Sequence, residues 1–328
     1  MMRAALWLAI AAPLAAQPKL LVNAQLKTEP AAPGLEAAFR RLAAAQQQPA
    51  WIGYAVPAVR SPGLGCDYVR DNFAMPGVIH LEPPDHAVIL FRVEGGAVNR
   101  IRTLSPDCEI DAGGLPVYWL NDVEAAQSVA LLMTFTGERE RAGESAGAIA
   151  YHAGAAADQA LDRLASAGQP EWLRMRAVSL EGQTRGRHGF EFLKQAIAAE
   201  ADERVRERAV SSLAGSREPD AGGLLVSIAR SDKNPKLREQ ALAALARKGG
   251  PAALETLTKA IDTDPDPQVR RRAVSALNAL PDGAGIPVLI EVVRNADNAE
   301  VRKQAMSVLS GSRDPRAAAF FEEVLKKE

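Results

Sequence analysis

The residues that could do chemistry are few in this sequence, and the most suggestive are three alternating carboxylates, Asp107, Glu109 and Asp111. Alternate residues of a strand point to one face of a sheet, so these side chains could hold calcium. The segment lacks the glycine and the distal glutamate of an EF-hand loop, and a solvated strand face is the simpler interpretation.

Ser145 stands in a G-x-S-x-G pattern, with Gly143 and Gly147 on either side. This pattern is typical of esterase nucleophiles, which lie on a turn between a strand and a helix. No strand is predicted before Ser145. We therefore predict no catalytic residue, no bound metal and no cofactor.

The first residues have the character of a secretory signal peptide. A short basic start is followed by an apolar run over residues 4–16 that ends in small residues, as signal peptides do. Thirteen apolar residues are too few to cross a bilayer comfortably. We predict a signal peptide over residues 1–16, periplasmic or secreted localisation, and no membrane insertion after the signal is removed.

Export affects the interpretation of the two cysteines, Cys66 and Cys108. An even number of cysteines in an oxidising compartment favours a disulfide. The alternative is two free buried thiols. No C-x-x-C motif is present, so thiol redox chemistry is not indicated.

The elements that must position any site are organised by a repeat. Apolar residues recur in steps of 32, each directly before an arginine, at Leu173, Val205, Leu237, Val269 and Val301. Alanine stands four residues after each, and leucine eight residues after each, except that Glu181 replaces leucine in the first copy. An i, i+4, i+8 apolar stripe is one face of a helix. Each copy therefore contains a helix with one buried side.

A second helix follows at a constant offset, with apolar positions at Leu193, Leu225, Leu257, Leu289 and Phe321. Capping residues and first-turn prolines such as Pro235 and Pro267 mark where the first helices begin. A helical hairpin cannot bury its stripe alone, so the copies must stack. Five clear copies begin near residue 169, after an eroded copy over residues 138–166.

The pattern D/N-x-x-V/L-R-x-x-A-V-x-x-L resembles the HEAT repeat, specifically the short HEAT-like repeat of phycobilisome lyases. The resemblance implies a HEAT-like α-α superhelix, or solenoid. It also implies that capping residues and arginines hydrogen-bond along the stack. That ladder would consist of Asp202, Arg206, Asn234, Arg238, Asp266, Arg270, Asn298 and Arg302.

Two enzyme families resemble this repeat. Deoxyhypusine hydroxylases bind iron through His-Glu pairs, whereas no histidine here is followed by glutamate, at His80, His86, His152 or His188. Phycobilisome lyases act inside cells, whereas this chain is predicted to be exported. A HEAT-like lyase or hydroxylase-type enzyme is therefore only a third hypothesis, and we predict that the protein is not an enzyme.

The region between the predicted signal peptide and the repeats has a different residue pattern, with strands as well as helices. A strand near residues 19–27, a helix over 34–48 and an extended run over 51–59 precede a hairpin that turns at Gly95 and Gly96. A second hairpin turns at Gly113 and Gly114, and a helix capped by Asn121 leads into the solenoid. We predict a mainly α protein. A small α+β, mainly antiparallel domain over residues 17–120 precedes the solenoid over 121–328.

The charge and aromatic content of the chain limit the classes of molecule that it could bind. The 328 residues are 47% hydrophobic and 5% aromatic, with a net charge of -1. Acidic and basic residues are mixed, and a basic stripe with aromatic residues is absent, which argues against nucleic-acid binding. We expect a soluble monomer.

These observations favour an exported scaffold that binds another protein through the concave side of its solenoid. The exposed positions of the second helices change chemistry from copy to copy, and the predicted contacts are Arg230, Lys259, Asp262, Glu291 and Arg294. A solvated face without a ligand is the simpler alternative for these residues. The competing hypothesis is small-molecule or glycan binding by the N-terminal domain, with the solenoid as a spacer.

Overall fold

The structure is a computed structural model that describes residues 21–60, 64–66 and 84–326. The predicted signal peptide over residues 1–16 lies outside the described residues. The chain divides into two compact units, Met1–Ala160 and Leu161–Glu328. No helix within the described ranges is long and apolar enough to cross a membrane.

The first unit contains a five-stranded sheet. Its elements are β1 (Leu21–Val22), β2 (Gln25–Pro30), α1 (Leu35–Ala45), β3 (Ala50–Pro57), β4 (His86–Glu94), β5 (Ala97–Leu104), β6 (Ile110–Asp111), β7 (Pro116–Asn121), α2 (Ala125–Met133) and α3 (Arg139–Tyr151). The strand order is β2-β7-β3-β4-β5, and β1 pairs separately with β6. The α+β character predicted for this region is confirmed.

The sheet is mixed rather than mainly antiparallel. The hairpin of β4 and β5 forms as predicted, and β3 is antiparallel to β4. The strand β7, however, lies parallel to both β2 and β3. The prediction of a second hairpin is wrong. Strand β6 pairs with β1, and β7 lies in the five-stranded sheet between β2 and β3. Glycine turns predict where a chain reverses, but they do not predict which strand it then joins.

The first unit extends further along the chain than the predicted boundary at residue 120. Asn121 ends β7 instead of capping a helix, and α2 begins at Ala125. Helix α2 packs on β3 and α3 packs on β5. The Glu144 carboxylate of α3 accepts a hydrogen bond of 2.8 Å from the Ile101 backbone N–H. These helices therefore complete the core of the sheet, and the division lies after Ala160.

Three phenylalanines join the helices of the first unit to its sheet. The ring centroid of Phe39 in α1 lies 4.7 Å from that of Phe91 in β4. Phe135, which follows α2, lies 5.8 Å from Phe91 and 6.1 Å from Phe39. All three side chains are buried. Aromatic contacts of this kind add stability beyond the area that they bury.

A buried polar chain crosses the same core. The Tyr54 and Ser128 hydroxyl oxygens lie 2.8 Å apart, and Ser128 Oγ lies 2.7 Å from His152 Nε2. His152 Nδ1 lies 2.8 Å from the carbonyl oxygen of Ala148. Burial raises the pKa of the Tyr54 hydroxyl, against the effect of its hydrogen bond to Ser128. Because these polar atoms are paired, the chain can be buried without a large desolvation penalty.

The second unit consists of helical hairpins, as predicted. Helix α4 (Ala155–Ala165) runs across the division, and the helices after it are α5 (Glu171–Thr184), α6 (Gly186–Ala199), α7 (Glu203–Ser212), α8 (Asp220–Ser231), α9 (Pro235–Lys248), α10 (Pro251–Thr263), α11 (Pro267–Leu277), α12 (Ile286–Asn295), α13 (Ala299–Ser310) and α14 (Pro315–Lys326). The first helices of successive copies, α5, α7, α9, α11 and α13, contact one another in order. The mainly helical fold class is confirmed.

The predicted stripe forms the core of the second unit. Every repeated apolar residue from Leu173 to Val301 is buried, and so is every repeated alanine. Leucine positions 193, 225, 257 and 289 of the second helices are also buried. The exception is Phe321, which is only half-buried, because the last helix turns its neighbour Phe320 into the core. No further copy follows α14 within the described residues to fix the register there.

Leu245→Ala tests the buried stripe. The Leu245 side chain is 2% exposed, so its truncation should leave a cavity and lower the free energy of unfolding by about 2 to 5 kcal/mol. The matched control is Leu325→Ala, since Leu325 is 73% exposed and its truncation should change stability by less than about 0.5 kcal/mol. Denaturant unfolding measures both. Equal losses would contradict the assigned register.

Candidate functional site

The predicted capping residues occupy the starts of the first helices. Asp202 Oδ1 accepts hydrogen bonds from the backbone of Arg204 and Val205, at 2.9 and 3.3 Å. Asn234, Asp266 and Asn298 accept equivalent bonds at the starts of α9, α11 and α13. Such caps satisfy backbone donors that a helix leaves unpaired.

The arginine ladder is present in a form different from that predicted. Arg238 forms a two-pronged ion pair with Asp264, with both nitrogen–oxygen distances at 2.8 Å, instead of binding a capping side chain. Arg302 donates to the carbonyl oxygens of Ala296 and Asp297. The predicted bonds between these arginines and the caps are therefore wrong. Arg238 reaches the loop before the next cap, whereas Arg302 contacts the loop before its own cap, Asn298.

In the first copy the repeated arginine contacts both a loop carboxylate and a capping residue. Arg174 Nη2 lies 2.6 Å from Glu200, and its Nη1 lies 3.3 Å from the cap Asp202. Glu200 also accepts the backbone N–H of Asp202 at 2.9 Å. In the third copy Asp264 accepts the backbone N–H of Asp266 in the same way. One carboxylate thus shapes the loop and neutralises an arginine of the preceding copy.

The sequence analysis did not predict this carboxylate, although the carboxylate recurs with the period of the repeat. Glu200, Asp232 and Asp264 stand in steps of 32, each two residues before a cap. In the fourth copy the position is Ala296. Arg270, the arginine that would face it, has its Nε atom buried without a hydrogen-bond partner, and so does Arg206. The ladder therefore stabilises some junctions more than others.

The five predicted partner-binding residues are all exposed on the second helices, although three of them, Arg230, Glu291 and Arg294, already have intramolecular partners. Arg230 on α8 lies 2.8 Å from Glu255 on α10. Arg294 on α12 lies 2.8 Å from Glu323 on α14 and 3.6 Å from Glu291, and its guanidinium stacks on the Phe320 ring. These contacts join neighbouring copies.

Lys259 and Asp262 on α10 differ from these arginines. Both are exposed, and neither forms an ion pair with any residue that the structure describes. Lys259 and Arg230 line one depression between α8 and α10, with a volume of about 290 Å³. The buried pair of Arg238 and Asp264 lines the same depression. This part of the surface thus combines one fixed guanidinium with one ammonium group that faces solvent.

A second concavity lies in the first unit, beside the disulfide that joins Cys66 and Cys108. It has a volume of about 100 Å³, and Trp51, Leu90 and Val117 give it an apolar wall. Among the described residues, the three carboxylates of the D-x-E-x-D segment do not bring their oxygens within 4.8 Å of one another. Asp107 contacts Ser105, and Asp111 accepts the Gly113 N–H.

Ser145 is unsuited to act as a nucleophile. It lies inside α3, its side chain is buried, and its hydroxyl donates to the Leu132 carbonyl oxygen at 2.6 Å. A nucleophile elbow needs an exposed hydroxyl between a strand and a helix. The G-x-S-x-G pattern therefore reflects helix packing.

Arg238→Ala tests the buried ion pair. Arg238 and Asp264 are about 8% and 6% exposed, and loss of the guanidinium leaves a buried carboxylate without compensation. We expect a loss of about 3 to 5 kcal/mol in the free energy of unfolding. Arg238→Met combined with Asp264→Asn should recover most of it, because the amide still accepts the Asp266 N–H. A double variant no more stable than Arg238→Ala would contradict the role of charge.

Glu200→Gln tests the pH dependence of the ladder. Burial raises the pKa of the Glu200 carboxyl, but hydrogen bonds from Arg174 and Asp202 outweigh this and lower the pKa below its usual 4.5. A depressed pKa stabilises the fold above the unfolded-state pKa, and this contribution disappears as the pH falls through the folded-state value. The stability difference between wild type and variant should therefore shrink as the pH falls below the usual glutamate pKa of 4.5. A pH-independent difference in urea unfolding would contradict this assignment.

Comparison with known proteins agrees with the repeat geometry. Residues 190–278 and 255–328 match HEAT repeats. Among solved structures, human deoxyhypusine hydroxylase in complex with glycerol is 19% identical, with 60% of this chain and 77% of that chain covered and a TM-score of 0.27. The complex of CpcE and CpcF of phycocyanin lyase from Nostoc sp. is 16% identical, with coverages of 62% and 88% and a TM-score of 0.35.

Likenesses at these TM-scores carry no argument about activity. Comparison with curated proteins gives no match. The match to the repeats, in contrast, spans consecutive copies with the buried stripe and the capped helices described above. Residues 190–328, which make up most of the second unit, are therefore built from HEAT repeats.

Proposed function

We propose that this protein is an exported scaffold that binds a protein partner through the exposed side of its second helices and catalyses no reaction. The second-helix face comprises Arg230, Lys259, Asp262, Glu291 and Arg294. HEAT repeats supply the scaffold. The signal-like segment over residues 1–16 supports export to the periplasm or the medium.

The depression between α8 and α10 carries this proposal. It places the solvent-facing Lys259 beside Arg230, whose guanidinium is held by Glu255 at 2.8 Å and faces Thr256 at 3.4 Å. A guanidinium held in place loses little conformational freedom on binding. A carboxylate of a partner protein fits between these two cations, while the nearby Asp262 would accept a basic group.

The variation of this face supports a binding role. Positions that only pack keep one residue type in every copy, as the repeated alanines do. The second-helix face keeps the helical register but alternates between basic and acidic residues. Mixed charge gives specificity to a protein interface by penalising partners of the wrong pattern.

Charge reversal on the second-helix face tests the proposal. Arg230→Glu combined with Arg294→Glu should abolish capture of the partner from a periplasmic extract, because both cations become repulsive towards its carboxylates. The thermal midpoint should change little, since each exposed ion pair contributes roughly 0 to 1 kcal/mol. Lys259→Glu alone should weaken capture without removing any ion pair.

Arg204→Glu is the matched control. Arg204 is 70% exposed and pairs with Glu171 of the preceding copy, but it lies on the first helix of its hairpin. This variant should capture the partner as well as wild type does. Capture that survives the double reversal, or that is lost equally in the control, would show that the second-helix face is not the binding surface.

The concavity beside the disulfide supports a second candidate. Its apolar wall together with Arg102 and Glu109 could hold a small molecule or a sugar. In that case the repeats act as a spacer, and binding would be unaffected by reversal on the second-helix face. A lyase or hydroxylase-type activity is the third candidate, with no supporting arrangement among the residues described above.

A further inference from the structure

The copy formed by α5 and α6 departs from the repeat at one buried position. Four later copies bury leucine there, at Leu213, Leu245, Leu277 and Leu309, whereas this copy buries Glu181. The Glu181 side chain is 0% exposed. Burying a carboxylate where leucine would pack is costly unless positive charge or hydrogen bonding stabilises it. This copy therefore differs from the other four at a core position.

The corner between α5 and α6 brings other ligand types to Glu181. A side chain at Gly189 would place its Cβ 2.0 Å from the Glu181 carbonyl oxygen, so glycine is needed for α6 to approach the end of α5. Gly186 begins α6 with a φ of 50°, a conformation that favours glycine. Between these two glycines stands His188, which therefore lies close to Glu181.

Asp162 completes the group. His188 Nε2 lies 3.1 Å from Asp162 Oδ1. One ligand atom from each of Asp162, Glu181 and His188 can be chosen so that all three lie within 4.8 Å of one another. Elsewhere in the described ranges no such group of three occurs. The His188 and Asp162 side chains are 38% and 41% exposed, so an ion can enter from solvent.

We propose that Asp162, Glu181 and His188 form a binding site for a divalent transition metal ion, best matched by zinc. One imidazole nitrogen and two carboxylate oxygens suit zinc, whereas calcium and magnesium prefer oxygen ligands alone. Ligand atoms around tetrahedral zinc lie about 3.3 Å apart, with bonds of roughly 2 Å. The His188–Asp162 spacing of 3.1 Å fits this geometry, and a Glu181 carboxylate oxygen lies within 4.8 Å of both partners.

Such a site would join α4, α5 and α6 at the start of the second unit. Three protein ligands leave a fourth position for water or for a group of another molecule. The proposal is independent of the second-helix face, because none of its residues belongs to that surface.

Zinc titration of the purified full chain by calorimetry tests the site. We expect one zinc ion per chain and a rise in the thermal midpoint with zinc concentration, as for any ligand that binds only the folded state. His188→Ala and Glu181→Leu should each weaken binding by at least about tenfold, since even the loss of a residue that only supports a ligand has this effect. Glu181→Leu restores the residue of the other copies. Glu181→Gln is the substitute if that variant fails to fold.

His86→Ala is the matched control. His86 Nδ1 lies 2.8 Å from Asp85 Oδ1 and its side chain is 37% exposed, so this histidine–carboxylate pair resembles that of His188 without the third ligand. The control should bind zinc as wild type does. Absence of zinc binding would overturn the proposal. Equal weakening by both histidine variants, or none by Glu181→Leu, would also overturn it.

Discussion

A hairpin of two short helices cannot bury its own apolar stripe, and the second unit depends on this constraint. Each copy exposes one side to the copy before it and one to the copy after it, and only stacking removes those sides from water. The alanine in the middle of every first helix is fully buried, because the stacked helices approach closely there. The stack therefore prescribes small and apolar residues at fixed intervals and leaves the outer positions free.

Hydrogen bonds and ion pairs between polar groups also link neighbouring copies of this stack. The carboxylate two residues before a cap shapes the connecting loop and also receives the arginine of the preceding copy, as Asp264 does for Arg238. The Asp264 carboxylate raises the pKa of the Arg238 guanidinium, which keeps this arginine charged in the folded protein. Arg230 and Arg294 link neighbouring second helices at the surface. In the proposed second-helix face these two cations are held by the next copy, whereas Lys259 faces solvent.

The repeated part of the fold could be predicted from sequence because each signal occurs several times. The stripe, the caps and the hairpins follow from residue types in steps of 32. The first unit has no such redundancy. Its hairpin at Gly95 and Gly96 was predictable from local turn chemistry, but the parallel pairing of β7 with β2 and β3 depends on contacts distant in sequence. A strand pairing that occurs once, between segments distant in sequence, leaves little periodic pattern in the sequence.

The candidate sites show the same limit. Exposed positions on the second helices could be identified by subtracting the core from the helical period, but their ion pairs with the next copy could not. The zinc ligands are distributed over three helices at Asp162, Glu181 and His188. Only the departure of Glu181 from the repeat was visible in the sequence. Asp162 and His188 come close to Glu181 only in the folded chain, where the glycines at the start of α6 let it approach α5.

Hydrogen exchange of the chain with and without its captured partner tests the binding account most directly. Backbone amides of a contacted surface exchange more slowly in a complex, and the position of that slowing identifies the surface. We expect protection concentrated in α8, α10 and α12, with the strands of the first unit unchanged. Protection confined to the strands around the disulfide, with these three helices unaffected, would contradict the account.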